Sequence, residues 1–121
     1  MSAKVLVVED FDDIRKMIRF QLRDAGYEVV EAKDGYEAVE KALETRPDLI
    51  LMDIAMPVMD GIQAATAIRQ HEELAEIPII AVTAYGEFYE ERALDVGYDA
   101  VVQKPLDLSQ LQPLVQKFLS R

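Results

Sequence analysis

The chain has 121 residues, of which 50% are hydrophobic, and its 23 acidic and 13 basic residues give a formal net charge of −10. This length predicts one domain, spanning residues 1–121, with enough interior to stabilise itself. The negative charge repels phosphate backbones, so direct binding of nucleic acid is not expected. The absence of cysteine excludes disulfides and thiolate metal sites.

Neither a signal peptide nor a membrane-spanning segment is expected. The first apolar run, residues 5–8, is too short for a signal peptide, and no run is long enough to cross a bilayer. The sequence therefore predicts a cytoplasmic protein without membrane insertion.

Five short apolar runs rich in β-branched residues predict strands, at residues 5–8, 28–32, 49–52, 79–82 and 100–103. Amphipathic stretches predict helices at about 13–25, 36–44, 62–70, 87–95 and 109–119. This alternation predicts an α/β fold, a parallel sheet with helices on both faces. Five such units fit the flavodoxin-like (βα)5 arrangement with strand order 2-1-3-4-5.

Three carboxylates follow two of the predicted strands. Asp53 comes directly after residues 49–52, before a loop marked by Pro57, and Glu9 and Asp10 follow the first strand. Strands 1 and 3 are neighbours in the expected sheet, and ligands bind outside the carboxyl ends of the strands at that switch point. We therefore expect the three carboxylates to lie together.

Carboxylates forced together disfavour one another's ionisation unless a cation neutralises them. Oxygen ligands without His or Cys are typical of a hard cation, which favours Mg²⁺ or Mn²⁺ over Zn²⁺. Because Mg²⁺ usually takes only a few carboxylates together with water and a phosphate oxygen, the pattern predicts a site for a metal-bound phosphoryl group.

Four segments resemble the receiver domains of bacterial two-component response regulators. They are Val7-Val8-Glu9-Asp10, Asp53 with Met56-Pro57-Val58-Met59-Asp60-Gly61, Thr83-Ala84, and Lys104-Pro105. Each lies at a predicted strand end, in the order and spacing of that family. The resemblance covers the chain from Val5 to the last helix.

The resemblance implies a phosphorylation-dependent signalling switch. Asp53 would be the nucleophile that accepts a phosphoryl group from a histidine kinase or a histidine phosphotransfer protein. Asp10, Asp53 and the backbone carbonyl of Ala55 would bind Mg²⁺, with Glu9 acting through a metal-bound water. Self-phosphorylation and slow self-hydrolysis at Asp53 would be the only reactions, so no other enzymatic activity is expected.

The resemblance also gives roles to two residues at later strand ends. Lys104 would pair with a phosphoryl oxygen, and the Lys104-Pro105 bond is commonly cis in the family. Thr83 would donate its hydroxyl to another phosphoryl oxygen, and its displacement would carry the signal. The family usually has Tyr or Phe where this chain has Val101, so Tyr85 and Tyr98 become candidate reporters of the phosphorylated state.

The kinase or phosphotransfer partner is expected to dock on the first helix. Ile14, Met17 and Phe20 form an apolar ridge there, beside the stripe that faces the core. The alternative is that this ridge is only the edge of the core. The downstream protein target cannot be read from the sequence.

Other functions fit less well. The acidic loop after the first strand would repel a flavin phosphate, which argues against a flavodoxin. Phosphatases of the haloacid dehalogenase type need a second Asp two residues after the nucleophile, where this chain has Ala55. Three alternatives stay open: a constitutive protein-docking pseudo-receiver, a phosphorelay shuttle and a phosphate sink.

Overall fold

The computed structural model describes residues 2–105 and 107–120, so the predicted domain boundaries at residues 1 and 121 lie outside it. Within these residues one parallel sheet has the strand order β2-β1-β3-β4-β5, which confirms the predicted fold. The strands are β1 (Lys4–Val8), β2 (Glu28–Ala32), β3 (Leu49–Asp53), β4 (Ile79–Thr83) and β5 (Ala100–Gln103). The helices are α1 (Asp12–Asp24), α2 (Gly35–Thr45), α3 (Gly61–Gln70), α4 (Gly86–Asp95) and α5 (Leu108–Leu119), with a short 3-10 helix at Glu72–Leu74.

The core forms two layers because successive side chains of a strand point to opposite faces of the sheet. In β1, Leu6 and Val8 pack with residues of α2, α3 and α4, whereas Val5 and Val7 pack with residues of α1 and α5. Strands covered on both faces are apolar throughout, which explains why the sequence shows runs rather than alternation.

β3 and β4 each extend one residue beyond the apolar runs that predicted them. Asp53 lies beside Val82 and Thr83 lies beside Gln103, so backbone pairing continues after the apolar pattern has stopped. Two polar side chains are therefore the last residues of central strands, where the rigid sheet fixes their backbone positions.

Arg69, near the end of α3, joins that helix to the turn between α4 and β5. Its guanidinium donates to the carboxylate of Asp99 at 3.1 Å. It also donates to four backbone carbonyls, those of Leu74, Ala75, Ile77 and Gly97. The α4–β5 turn is thus held against α3 by one side chain.

Within residues 2–105 and 107–120, no helix is long and apolar enough to span a bilayer.

Candidate functional site

The carboxyl edge of the sheet brings together the three carboxylates that the sequence singled out. Glu9 and Asp10 follow β1, and Asp53 ends the neighbouring strand β3. One oxygen from each of the three lies within 4.8 Å of the others, and Glu9 and Asp53 are both buried. This juxtaposition follows from the parallel sheet, because its strands end at one edge.

Lys104, just beyond β5, is the cation at this cluster. Its ammonium donates to Glu9 Oε1 at 2.7 Å and to Asp53 Oδ2 at 2.9 Å. Partial burial by itself would lower the pKa of Lys104, but the hydrogen bonds and charges of Glu9 and Asp53 outweigh it, and the pKa lies above its usual value. Lys104 is therefore charged at neutral pH and bridges two of the three acids.

Asp10 is the acid that this lysine does not bind. Its Oδ1 is buried and has no hydrogen-bond partner among the described residues. Burial raises the pKa of Asp10, and the nearby Glu9 carboxylate raises it further. Three carboxylates and one ammonium leave two negative charges when all are ionised, the charge that one divalent cation balances. An orphaned carboxylate oxygen and an all-oxygen donor set fit Mg²⁺.

The Asp53 carboxylate is held in a fixed orientation. Its Oδ1 accepts a hydrogen bond from the backbone amide of Ala55 at 3.1 Å, and its Oδ2 is bound by Lys104. Ala55 itself lies on the exposed loop that follows β3. The metal-binding role of the Ala55 carbonyl stays a prediction.

Thr83 is buried at the end of β4, the strand next to Asp53. Its Oγ1 accepts a hydrogen bond from the amide of Tyr85 at 3.1 Å, and its carbonyl accepts one from the amide of Lys104 at 2.8 Å. The Lys104-Pro105 peptide is cis. Thr83 thus links the loop before α4 to the backbone of Lys104, whereas its contact with a phosphoryl oxygen stays a prediction.

The two candidate state reporters, Tyr85 and Tyr98, differ in environment, and Val101 stands where the family usually has an aromatic residue. Val101 is partly buried against the α2–α4 side of the core. Tyr85 is 61% exposed, and Tyr98 is 3% exposed. The two tyrosines that the sequence left equivalent are therefore one surface residue and one core residue.

Sequence reasoning missed Arg15, which fixes the turn that carries the first two acids. Its guanidinium donates to the Glu9 carbonyl at 2.8 Å, to Asp12 at 2.6 Å and to Glu31 at 3.2 Å. The spacing of Asp12 and Arg15 on one helix was an available signal for their own pair. The contact with Glu31 needs β2 beside β1 and has no local signal.

The predicted docking ridge on α1 is divided by the structure. Ile14 packs against the core on the α1–α5 side, whereas Met17 is 47% and Phe20 is 71% exposed. Two of the three residues are thus available to a partner, and their part in docking stays a prediction.

Comparison with known proteins identifies close relatives over nearly the whole chain. Residues 5–116 match the response regulator receiver domain family. The polar-differentiation response regulator DivK of Brucella anthropi is 36% identical over 120 residues, which is 98% of each chain. These matches exceed what a shared fold alone would produce.

Two solved structures give the same result in three dimensions. One is the receiver domain of the sensor histidine kinase PA1611 from Pseudomonas aeruginosa, with a TM-score of 0.93, 35% identity and full coverage of both chains; its structure has a magnesium ion coordinated in the active-site cleft. The other is the chemotaxis protein CheY4 of Vibrio cholerae, with a TM-score of 0.92 and 36% identity, covering 98% of this chain and 99% of that one.

Proposed function

The chain belongs to the response regulator receiver domain family, and on that premise we propose that it is a phosphorylation-dependent switch whose phosphoryl acceptor is Asp53. The observation that carries this proposal is the cluster of Glu9, Asp10 and Asp53 with Lys104 as its cation. Such a cluster is costly to bury for structural reasons alone, because each carboxylate repels the others.

The proposed reaction moves a phosphoryl group from a phosphohistidine to Asp53. A carboxylate oxygen of Asp53 attacks phosphorus, and the new P–O bond forms as the P–N bond to the donor histidine breaks. The electron pair of that bond returns to the imidazole nitrogen, and the product on Asp53 is an acyl phosphate. The Ala55 amide and Lys104 orient the attacking carboxylate before the donor arrives.

Charge neutralisation is the main task of the surrounding residues, since phosphoryl transfer leaves a protein little covalent chemistry to perform. Lys104 already contacts Asp53, so its ammonium is positioned to pair with an oxygen of the transferred group. When bound, Mg²⁺ supplies further positive charge beside the phosphoryl oxygens. Asp10, Asp53 and the Ala55 carbonyl would hold the ion directly and Glu9 through a water, and Mn²⁺ suits the same oxygen ligands.

Thr83 carries the signal in this proposal. In the structure the Thr83 hydroxyl accepts a hydrogen bond from the amide of Tyr85. A phosphoryl group on Asp53 would attract this hydroxyl. A shift of that hydroxyl changes the loop before α4 and with it the surface offered to a downstream protein. Phosphorylation of Asp53 and its slow hydrolysis are the only reactions we assign to the protein.

The experiment that tests this function is an intact-mass measurement after incubation with acetyl phosphate and Mg²⁺, with Asp53→Asn as the matched control. We expect a labile phosphoryl adduct on the wild type alone, and its loss when the metal is chelated. A folded wild-type protein without an adduct would contradict the proposal and favour a constitutive docking module.

We further propose that the phosphodonor protein, a histidine kinase or a histidine phosphotransfer protein, docks on α1 around Met17 and Phe20. Both side chains are exposed apolar groups on the same helix, and neighbouring apolar side chains that form a continuous exposed patch mark a protein contact. The thioether of Met17 suits an adaptable surface. Ile14 supports this face from the core side.

Phe20→Asp tests the docking proposal, and Phe88→Asp is its control because the two side chains are almost equally exposed, at 71% and 73%, on different helices. Phe20→Asp should slow phosphotransfer from a donor protein by about tenfold or more, while phosphorylation by acetyl phosphate is unchanged. Equal slowing by both variants would contradict a docking site on α1.

A further inference from the structure

Tyr98 is a buried polar residue that the proposed chemistry does not use. It follows Gly97, whose φ of +106° closes α4, and its amide donates to the Ala93 carbonyl at 3.0 Å. The side chain runs from this turn into the core, where it is 3% exposed. The backbone of Tyr98 thus belongs to the turn that ends α4, whereas its phenol lies in the core.

The hydroxyl of Tyr98 reaches the first residue of α3. It donates to the Gly61 carbonyl at 2.8 Å in a buried hydrogen bond. A Cβ atom at Gly61 would lie 2.8 Å from that hydroxyl oxygen and 2.6 Å from the Asp53 carbonyl oxygen. Gly61 is therefore a glycine because the phenol and the backbone of the phosphoryl acceptor both approach it closely.

Gly61 closes the loop that follows the acceptor. Its amide donates to the Ile54 carbonyl at 2.8 Å, so the segment from Ile54 to Gly61 returns on itself. Ala55, whose amide orients the Asp53 carboxylate, is the first exposed residue of this loop. A group that fixes Gly61 consequently fixes the backbone on which the Asp53 carboxylate depends.

The phenol of Tyr98 is a hydrogen-bond donor at this position. Burial raises the pKa of Tyr98 far above its usual value, and the negative charges of Asp60 and Asp53 raise it further. The hydroxyl therefore carries its proton at neutral pH, where it donates to the Gly61 carbonyl. A phenylalanine would preserve the ring and its packing but remove this donor.

We propose that Tyr98 is a positioning residue of the acceptor site: its hydroxyl holds the Asp53–Gly61 segment so that the Asp53 carboxylate and the Ala55 carbonyl are presented to a divalent cation. The inference rests on the proposed function, because it takes the cation site to be at Asp53. A packing role would depend on the ring of Tyr98. The proposed role depends on its hydroxyl, which acts on cation binding through the Asp53–Gly61 segment.

Tyr98→Phe tests this role, with Thr66→Val as the control. Thr66 also donates its hydroxyl to a carbonyl in the first turn of α3, that of Ile62 at 2.9 Å, but it lies on the exposed side. Mg²⁺ affinity is measured from backbone amide shifts in a titration with the metal alone. Hydrogen exchange of the Gly61 amide is measured without metal.

Tyr98→Phe should weaken Mg²⁺ binding by about tenfold, the usual range for a residue that orients metal ligands, and should speed exchange of the Gly61 amide. Thr66→Val should leave both within about twofold of the wild type, as expected for an exposed change away from the site. A Tyr98→Phe protein that matches the control in both measurements would overturn the inference, even if its unfolding free energy is lower.

A measurement on the unaltered protein keeps the test independent of how the variant folds. The ring signals of Tyr98 should shift as Mg²⁺ is added, and ring signals that stay constant at saturating metal would overturn the inference. The acetyl phosphate experiment separates the two proposals: a wild type that forms no adduct contradicts the proposed function, whereas Mg²⁺ affinity and exchange of the Gly61 amide, which involve no phosphorylation, still decide the role of Tyr98.

Discussion

Arg69 and Lys104 each join distant parts of the chain through charged hydrogen bonds, but the two cations have different surroundings. Arg69 donates to four carbonyls and to the carboxylate of Asp99, so one positive charge meets one negative charge among these bonds. Lys104 meets two carboxylates, and beside them Asp10 keeps a buried oxygen that has no partner in the described part of the chain. The first cluster is satisfied by the protein itself, whereas the second keeps an unpaired carboxylate oxygen among the described residues.

A buried ionic cluster that serves stability differs from one that serves function in whether its charged groups are all paired within the protein. Polar groups in a protein interior are normally paired, because an unpaired group loses its hydration without compensation. Arg69 obeys this rule. The acid cluster departs from it at the edge where the sheet meets solvent, and departures of this kind are typical of functional sites.

Lys104→Met should have the largest effect, because it removes the cation that contacts Asp53, the proposed phosphoryl acceptor. We expect phosphorylation by acetyl phosphate to slow by about 100-fold or more, the usual loss when a charge-stabilising donor is removed. Lys33→Met removes an exposed lysine that pairs only loosely with Glu37 at 3.6 Å, and it should leave the rate unchanged. Similar phosphorylation rates for Lys104→Met and Lys33→Met would contradict a functional role for the cluster around Lys104.

Arg69→Met should act on stability instead. Several backbone carbonyls and Asp99 would lose a charged donor, so we expect the free energy of unfolding to fall by about 2–3 kcal/mol. Arg46→Met is the control, because Arg46 is exposed and lies 3.9 Å from Glu73, a surface pair worth little. Urea unfolding measures both, and the Arg69 variant should still form the Asp53 adduct in the absence of urea. Complete loss of that adduct would show that Arg69 is not purely structural.

Asp10→Asn should have the smallest of the three effects. In the metal-free protein it should raise the free energy of unfolding, whereas Arg69→Met should lower it. Removing one of three crowded charges should raise the free energy of unfolding by about 1 kcal/mol. Excess Mg²⁺ should reverse the order: the wild type gains about 2.7 kcal/mol when free metal is about 100 times its Kd, and the variant gains less.

Thermal unfolding with and without Mg²⁺ measures the effect of Asp10→Asn. An Asp10→Asn protein that is less stable than the wild type without metal would mean that the carboxylate has a partner in the fold. Equal stabilisation of both proteins by Mg²⁺ would place the cation elsewhere.

Much of the fold and the acid half of the site could be predicted from the sequence, since both depend on local patterns. Apolar runs and amphipathic stretches give strands and helices within one or two residues, and alternation of the two gives a parallel sheet. Acids that directly follow strands 1 and 3 must then meet at one edge. The role predicted for Ala55 depends on a bound metal ion and that predicted for Thr83 on a bound phosphoryl group, and both remain predictions.

The remaining features depend on contacts between residues far apart in the chain. Lys104 bonds Glu9 across 95 positions, and Tyr98 bonds Gly61 across 37. Nothing local distinguishes Tyr98 from Tyr85, yet one is buried and the other exposed. The sequence alone determined which acids share the edge of the sheet, because periodicity and strand ends are local properties. Only the tertiary structure decided which donors those acids and their loop receive, because a hydrogen bond requires two groups within about 3 Å and packing alone sets that distance.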